Sequence, residues 1–340
     1  MQTPKDSAAA RAPFGTVLAP TMAVARFQNG QWQPAEMRPT GAIELHPAAH
    51  VLHYASTCFE GFKAYRWADG SINLFRVDRH IERMRQSARS LILPEPDAKQ
   101  LAEMIHATVR VNHESVPEAP GALYLRPVLF GTSPNIGAAG TPSEEALLVV
   151  LASPVWDYFG LKPLRIFVDD AHARSATLMG SVKTGGNYAA ALGPTLEARR
   201  RYQSDQVLFA PGGEVQETGA ANFVLIRKGK LLTRKLDSAI LHGVTRDSLL
   251  TLAKSEGYEV EERAIDVREM LDWVRDGEAA LSGTAAVLAG VGVLIHKGEE
   301  HRVGNGEVGE ITKTLRAALV AMQRGETPDR FGWSTPVVRP

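Results

Sequence analysis

The stretch Ser181-Val182-Lys183-Thr184-Gly185-Gly186-Asn187-Tyr188 runs into the alanine-rich segment Ala189-Ala190-Ala191. A lysine followed by two glycines, then an aromatic hydroxyl at the start of a predicted helix, sets an amine in a tight backbone. An amine of lowered pKa in such a setting can form a Schiff base. The same residues also describe an exposed lysine beside a Gly-Gly turn, which is the commoner meaning of one motif alone.

Three further clusters lie downstream. Glu214-Val215-Gln216-Glu217-Thr218-Gly219-Ala220-Ala221-Asn222 leads into apolar Phe223-Val224-Leu225-Ile226. Glu217 sits where the chain leaves a turn and enters a strand, and a partly buried carboxylate there needs a cation. A pyridinium nitrogen would serve, and so would an arginine. Leu241-His242-Gly243-Val244-Thr245-Arg246-Asp247 opens a predicted helix. Free N–H groups and a hydroxyl at a helix N-terminus suit phosphate, and simple capping by Thr245 is the alternative. In Leu281-Ser282-Gly283-Thr284-Ala285-Ala286, small residues let backbone amides approach a ligand, or merely form a tight corner. Together, a Schiff-base lysine, an acidic partner for a ring nitrogen and a phosphate cup are the parts that pyridoxal 5′-phosphate requires.

Composition narrows the field. The chain has 340 residues, and its 38 Lys+Arg balance 38 Asp+Glu, which disfavours a nucleic-acid binder. At 44% hydrophobic and 22% charged residues it is an ordinary globular sequence of roughly two domains. Cys58 is the single cysteine, so neither an internal disulfide nor a cysteine zinc site can form. HExxH, GxxxxGK[ST] and GxSxG are absent, Gly290-Val291-Gly292 is not followed by the third glycine of a GxGxxG, and no metal site is predicted. No apolar run approaches the roughly 20 residues of a membrane span. Residues 1–20 lack the apolar core of a signal peptide and read as a flexible tail. A soluble, cytoplasmic protein is expected.

Along the chain, Asp78 is read as the N-cap of a helix to about Leu93, with Ile81, Met84 and Ala88 on its apolar stripe. Arg83 falls off that stripe, among other arginines. A second helix after Pro96 carries Leu101, Met104, Ile105 and Val109. Strands are predicted over 122–130 and 146–152, joined by a Gly/Pro/Ser/Thr-rich loop over 131–143. The aromatic-rich segment around Trp156, Tyr158 and Phe159 marks a boundary. It separates a small domain (21–155), by a linker (156–163), from a larger one (164–340). In the larger part, strands are predicted over 164–168, 206–210 and 222–227, the last turning at Gly229 into a hairpin. Helices are predicted over 245–256, 267–275 and 308–323.

These clusters, with His53-Tyr54, Phe59-Glu60-Gly61-Phe62-Lys63-Ala64-Tyr65, Phe75, Arg83-Met84 and Tyr124-Leu125-Arg126-Pro127, resemble the branched-chain amino-acid aminotransferases. These are class IV aminotransferases of the fold-type-IV pyridoxal-phosphate group. The resemblance spans about residues 40–337. It implies an α/β fold with a small N-terminal α/β domain, a larger C-terminal domain with a pseudo-barrel core, and the cofactor between them. It implies Lys183 as the Schiff-base and proton-shuttling residue, Glu217 at the pyridinium nitrogen, and Tyr188 at the phenolic oxygen. Arg83, Val244, Thr245 and Thr284 would hold the phosphate. Tyr54, Phe59, Trp156 and Tyr158 resemble the side-chain pocket, and Tyr124, Arg126, Thr284 and Ala285 the carboxylate side. The implied reaction moves the amino group of L-leucine, L-isoleucine or L-valine to 2-oxoglutarate, in a homodimer whose loop 131–143 and Tyr54 serve the neighbouring site. Within the fold, a D-amino-acid or (R)-amine transaminase or an aminodeoxychorismate lyase is the alternative, and outside it a non-catalytic small-molecule binder. The sequence departs from some relatives at Lys63, where short bacterial members have arginine. It departs also at Ala286-Val287-Leu288-Ala289, which lacks the Cys-x-x-Cys of some animal members.

Overall fold

A computed structural model describes residues 13–156, 160 and 162–339. The chain divides into two units, one of residues 1–157, 182–185 and 322–340, the other of residues 158–181 and 186–321. The sequence reading draws a single cut near residue 160. The structure returns the four residues around Lys183 and the C-terminal segment to the first unit.

The first unit is built on nine strands. They are β1 (Thr21–Gln28), β2 (Gln31–Trp32), β3 (Glu36–Pro39), β4 (Thr57–Phe59), β5 (Phe62–Arg66), β6 (Ile72–Phe75), β7 (Ala122–Gly131), β8 (Ala146–Val155) and the terminal strand Ser334–Val338. From the terminal strand the order is β6-β5-β7-β8-β1-β2, with β3 on β1 and β4 on β7, and every pairing is antiparallel. Three helices join it: α1 (His50–Tyr54), α2 (Val77–Ser90) and α3 (Ala98–Val111). Met84 and Ala88 of α2 and Leu101, Met104 and Ile105 of α3 pack on Phe62, Ala64, Leu123, Leu125, Leu148 and Val150. Leu147 and Val149 pack with Met22 and Val24 in a second cluster. Strand β8 is thus buried on both faces, which is why it reads as an unbroken apolar run rather than an alternating one.

Helix α2 differs from its sequence reading at both ends. Arg76, not Asp78, occupies the cap position, in the left-handed region at φ 54°. Its backbone N–H donates to the Trp333 carbonyl and its guanidinium stacks on the Trp333 ring at 4.7 Å. Contacts distant in sequence therefore set this helix start. The helix ends at Ser90, because Ile92 turns left-handed at φ 51°. Helix α3 follows its reading: Asp97 caps it by accepting from Gln100 N–H, and the predicted stripe is buried.

The second unit holds β9 (Leu164–Asp169), β10 (Gln206–Phe209), β11 (Asn222–Arg227), β12 (Lys230–Thr233), β13 (Glu259–Glu262), β14 (Glu278–Gly283), β15 (Val287–His296) and β16 (Glu299–Arg302). Their order is β10-β9-β15-β14-β11-β12-β13, with β16 on β15, and parallel and antiparallel pairs are mixed. The helices are α4 (Gly185–Tyr202), α5 (Val244–Ser255), α6 (Val267–Trp273) and α7 (Glu310–Gln323). Leu249, Leu250 and Ala253 of α5 and Leu315 of α7 pack on Val224 and Ile226, while Met270 and Trp273 of α6 pack on Phe223 and Leu225. Alternate residues of β11 thus face opposite cores. The β11–β12 hairpin turns at Gly229, where φ is 76°.

Among the described residues, no helix is long and apolar enough to cross a membrane, and no cluster of His, Cys, Asp and Glu could hold a metal ion.

Candidate active site

In the first unit, residues 182–185 lie along β4. Phe59 N–H donates to the Lys183 carbonyl at 3.0 Å, and Lys183 N–H to Ser87 Oγ at 3.1 Å. Thr184 Oγ1 donates to the Thr57 carbonyl at 2.7 Å. With its backbone tied on both sides, half-buried Lys183 has only its side chain to move. Its Nζ lies 5.0 Å from the centre of the Phe59 ring.

Phe59 also carries a second cation. The Arg126 guanidinium sits 4.6 Å from the Phe59 ring centre and 5.3 Å from that of Tyr124, and Arg126 Nη2 donates to the Tyr124 hydroxyl at 2.9 Å. Tyr124 and Arg126 alternate on β7 with core-facing Leu123 and Leu125, so they occupy the face opposite α2 and α3. Gly61 makes room for Tyr124: a Cβ at Gly61 would lie 1.8 Å from the tyrosine oxygen. Lys63 pairs with Tyr124 across the ladder and is buried.

Phe14 meets Tyr124 edge-on, with ring centres 5.0 Å apart. The reading of residues 1–20 as a flexible tail therefore fails for residues 13–20. Ala19 N–H donates to the Ala152 carbonyl and Ser153 Oγ to the Val17 carbonyl, which extends the sheet edge. A lone phenylalanine in a Pro/Ala-rich segment carries no periodicity that could have shown this.

Arg83 is buried, not on a solvated helix face. Glu60, on the loop between β4 and β5, accepts from Arg83 Nε at 2.6 Å and Nη2 at 2.8 Å, and from His80 Nδ1 at 2.6 Å. His80, Arg83 and Ser87 stand at i, i+3 and i+7, a polar stripe beside the apolar one on the same inward side. Burial alone would raise the Glu60 carboxyl, but the charges and donors of Arg83 and His80 hold it well below the carboxylate range. Burial pushes the His80 imidazole down, against the opposing pull of the Glu60 carboxylate. Cys58, in the core on β4, has its thiol pushed up to about 12, by burial and then by the charge of Glu60.

In the second unit, Glu217 is 2% exposed. Its Oε1 accepts from Arg174 Nη2 at 2.8 Å and Leu241 N–H at 2.8 Å, and its Oε2 from Asn222 Nδ2 at 2.7 Å. Both cationic partners weighed from the sequence thus remain relevant, since an arginine is present. Asn222 Nδ2 also donates to the Leu241 carbonyl at 2.9 Å. Two residues on, Gly243 caps α5 in extended backbone with no side-chain cap bond. Thr245 is therefore not the N-cap; it lies buried in the first turn with Val244. The glycine is required, because a Cβ there would lie 1.9 Å from Asn222 Oδ1. Asn222 could have been found as the first residue of an apolar strand. Arg174 lies in a loop without periodic pattern.

Tyr188 is half-buried in the first turn of α4. Thr284 and Ala285 are half-buried in the tight turn between β14 and β15. Tyr54 ends α1 and donates to the carbonyl of exposed Ile136, inside the 131–143 loop. Trp156 is half-buried just beyond β8. Tyr158 lies outside the described residues.

A family model for amino-transferase class IV matches residues 57–292. The chain is 42% identical over 318 residues to the branched-chain-amino-acid aminotransferase of Mycobacterium tuberculosis (strain ATCC 25618 / H37Rv), covering 89% of this chain and 85% of the relative. The chain belongs to the branched-chain aminotransferases of class IV. Solved structures agree. The branched-chain amino acid aminotransferase of Escherichia coli superposes with a TM-score of 0.76 at 28% identity, over 94% of this chain and 100% of that one. The branched-chain aminotransferase of the thermophilic archaeon Thermoproteus uzoniensis, solved with norvaline, gives 0.76 at 26% identity, over 94% and 100%.

Class IV aminotransferases use pyridoxal 5′-phosphate, and the donor set of this aminotransferase fits that group. A primary amine with a fixed backbone suits its aldehyde. A buried arginine and a helix N-terminus capped only by glycine suit a phosphate dianion. A buried carboxylate suits a ring cation.

Proposed function

We propose that this aminotransferase moves the amino group of L-leucine, L-isoleucine or L-valine to 2-oxoglutarate, giving the branched 2-oxo acid and L-glutamate. The observation that carries this reading is Arg126, sheathed by Phe59 and Tyr124. A guanidinium against two ring faces is compensated when an aliphatic side chain lies beside it. The same group forms charge-assisted bonds when the side-chain carboxylate of glutamate arrives. One pocket then serves two unlike substrates.

The bound cofactor supplies an electron sink and carries the amino group between the two half-reactions. Lys183 would bind it and move the proton at the substrate α-carbon, its reach fixed by the backbone bonds to Ser87 and Phe59. Arg83, the Val244 and Thr245 amides and Thr284 would hold the phosphate. Tyr188 would meet the phenolic oxygen and Glu217 the ring nitrogen. Tyr124, with the Thr284 and Ala285 amides, would orient the α-carboxylate. Phe59, Trp156, Tyr158 and Tyr54 would wall the side-chain pocket.

We further propose a cytoplasmic homodimer. Tyr54, at the end of α1 and hydrogen-bonded to exposed Ile136 of the 131–143 loop, suits a role in the neighbour's site.

The purified protein should be yellow with its cofactor, L-leucine should bleach the visible band, and 2-oxoglutarate should restore it. Lys183→Ala should not give the wild-type band. Absence of the band in the wild type, or bleaching by D-alanine and not L-leucine, would sink the reading.

A further inference from the structure

We propose that Arg174 is a positioning residue: it holds Glu217 as an oriented carboxylate and so keeps the shared proton on the cofactor ring nitrogen rather than on Glu217. This rests on the reading that the chain binds pyridoxal 5′-phosphate with Glu217 at that nitrogen.

Both partners are inaccessible, at 3% exposure for Arg174 and 2% for Glu217. The contact is a direct 2.8 Å ion pair. The same Nη2 also donates to the Gly180 carbonyl, which locks the guanidinium in place. Gly180 in turn is wedged against Ala239: a Cβ there would lie 2.2 Å from that residue's backbone, and Ser181 N–H donates to the Ser238 carbonyl. The loop bearing Arg174 is therefore fixed on the segment that delivers Leu241 N–H to Glu217.

Arg174, Asn222 and Leu241 N–H converge on this carboxylate, and of these three Arg174 alone brings a net charge. A proton shared between a carboxylate and an aromatic nitrogen settles where the resulting charges are best compensated. Arg174 touches the carboxylate itself. Its attraction for Glu217 therefore outweighs its repulsion of a more distant ring cation. Asn222 and Leu241 N–H act in the same sense, as neutral donors to the charged form. Without the guanidinium, the ionised carboxylate would be poorly compensated in the interior. The proton would then move to Glu217, and the ring would lose its charge.

The test is the ring-nitrogen NMR resonance of ¹⁵N-labelled pyridoxal 5′-phosphate bound to the wild type, Arg174→Gln, Arg174→Lys and Glu217→Gln at one neutral pH. Cofactor dissociation constants are measured in parallel. The wild type should show a protonated nitrogen. Arg174→Gln and Glu217→Gln should both shift toward neutral pyridine, with about tenfold weaker cofactor binding. Arg174→Lys keeps the charge and should keep the protonated signal. A protonated nitrogen in Arg174→Gln, equal to the wild type, overturns the proposal. If Arg174→Gln does not fold, a neutral nitrogen in folded Arg174→Lys overturns it equally. A wild type that binds no cofactor would instead refute the functional reading on which this rests.

Discussion

Each unit buries an arginine–glutamate pair, and the two pairs are mirror images in role. In the first unit Arg83 is the candidate ligand, and Glu60 with His80 anchors it. In the second unit Glu217 is the candidate ligand, and Arg174 with Asn222 anchors it. A buried pair seldom adds net stability over apolar packing. On the proposed reading its use would be to hold an ion of chosen sign in chosen geometry, a cation for a phosphate and an anion for a ring nitrogen. Each arrangement also has its glycine. Gly61 admits Tyr124 beside Glu60, and Gly243 admits Asn222 beside Glu217.

The comparison is broken most severely by removing an anchor. Glu60→Ala leaves a buried guanidinium without its anion and should cost about 3–5 kcal/mol, read from the urea midpoint. A loss below about 1 kcal/mol would mean that Arg83 finds another partner or water.

Next in size is a separation of substrates. Arg126→Ala should lower kcat/KM for 2-oxoglutarate by about 100-fold and for L-leucine only a few-fold, since it removes charge-assisted bonds that only the dicarboxylate makes. Equal losses for both would show that Arg126 merely supports the pocket.

The glycines sharpen the parallel. Gly61→Ala and Gly243→Ala should each destabilise by about 1–3 kcal/mol through overpacking. Gly61→Ala should spoil substrate recognition by moving Tyr124, while Gly243→Ala should weaken cofactor binding. The same kinetic signature from both would undo the assignment of separate duties.

Smaller still is a pH effect. Burial lowers the His80 imidazole below its ordinary 6.5. As pH falls below that value, the unfolded chain takes up this proton before the folded one, so stability declines. The slope is at most about 1.4 kcal/mol per pH unit for one group. Glu60, held below its ordinary 4.5, adds its own loss at lower pH, again because the unfolded state protonates first. His80→Gln should flatten the curve below pH 6.5, while half-buried His106 keeps its own downward shift. An unchanged slope would remove His80 from the account.

Much of this was legible in the sequence, for identifiable reasons. The stripe Leu101, Met104, Ile105, Val109 and the Gly229 hairpin are local patterns, and local patterns survive folding. The family came from several motifs read together, though each alone had a plain alternative. What escaped was non-local. Arg83 showed only as an arginine off the apolar stripe beside Arg79 and Arg85, and its burial was hidden because its partner Glu60 lies 23 residues away. Arg76 replaced Asp78 as the cap because Trp333 holds it from the far end of the chain. Phe14 and Arg174 sit in segments without period, where only the folded chain shows what they touch.

The mirrored pairs are tested most directly by the affinity of the cofactor-free protein for pyridoxal 5′-phosphate relative to pyridoxal, which lacks the phosphate. If Glu60 anchors the phosphate ligand and Arg174 the ring ligand, Glu60→Gln should cut that ratio by about tenfold. Arg174→Gln should weaken both compounds alike and leave the ratio unchanged. A ratio that falls equally in the two variants would contradict the division of labour between the units.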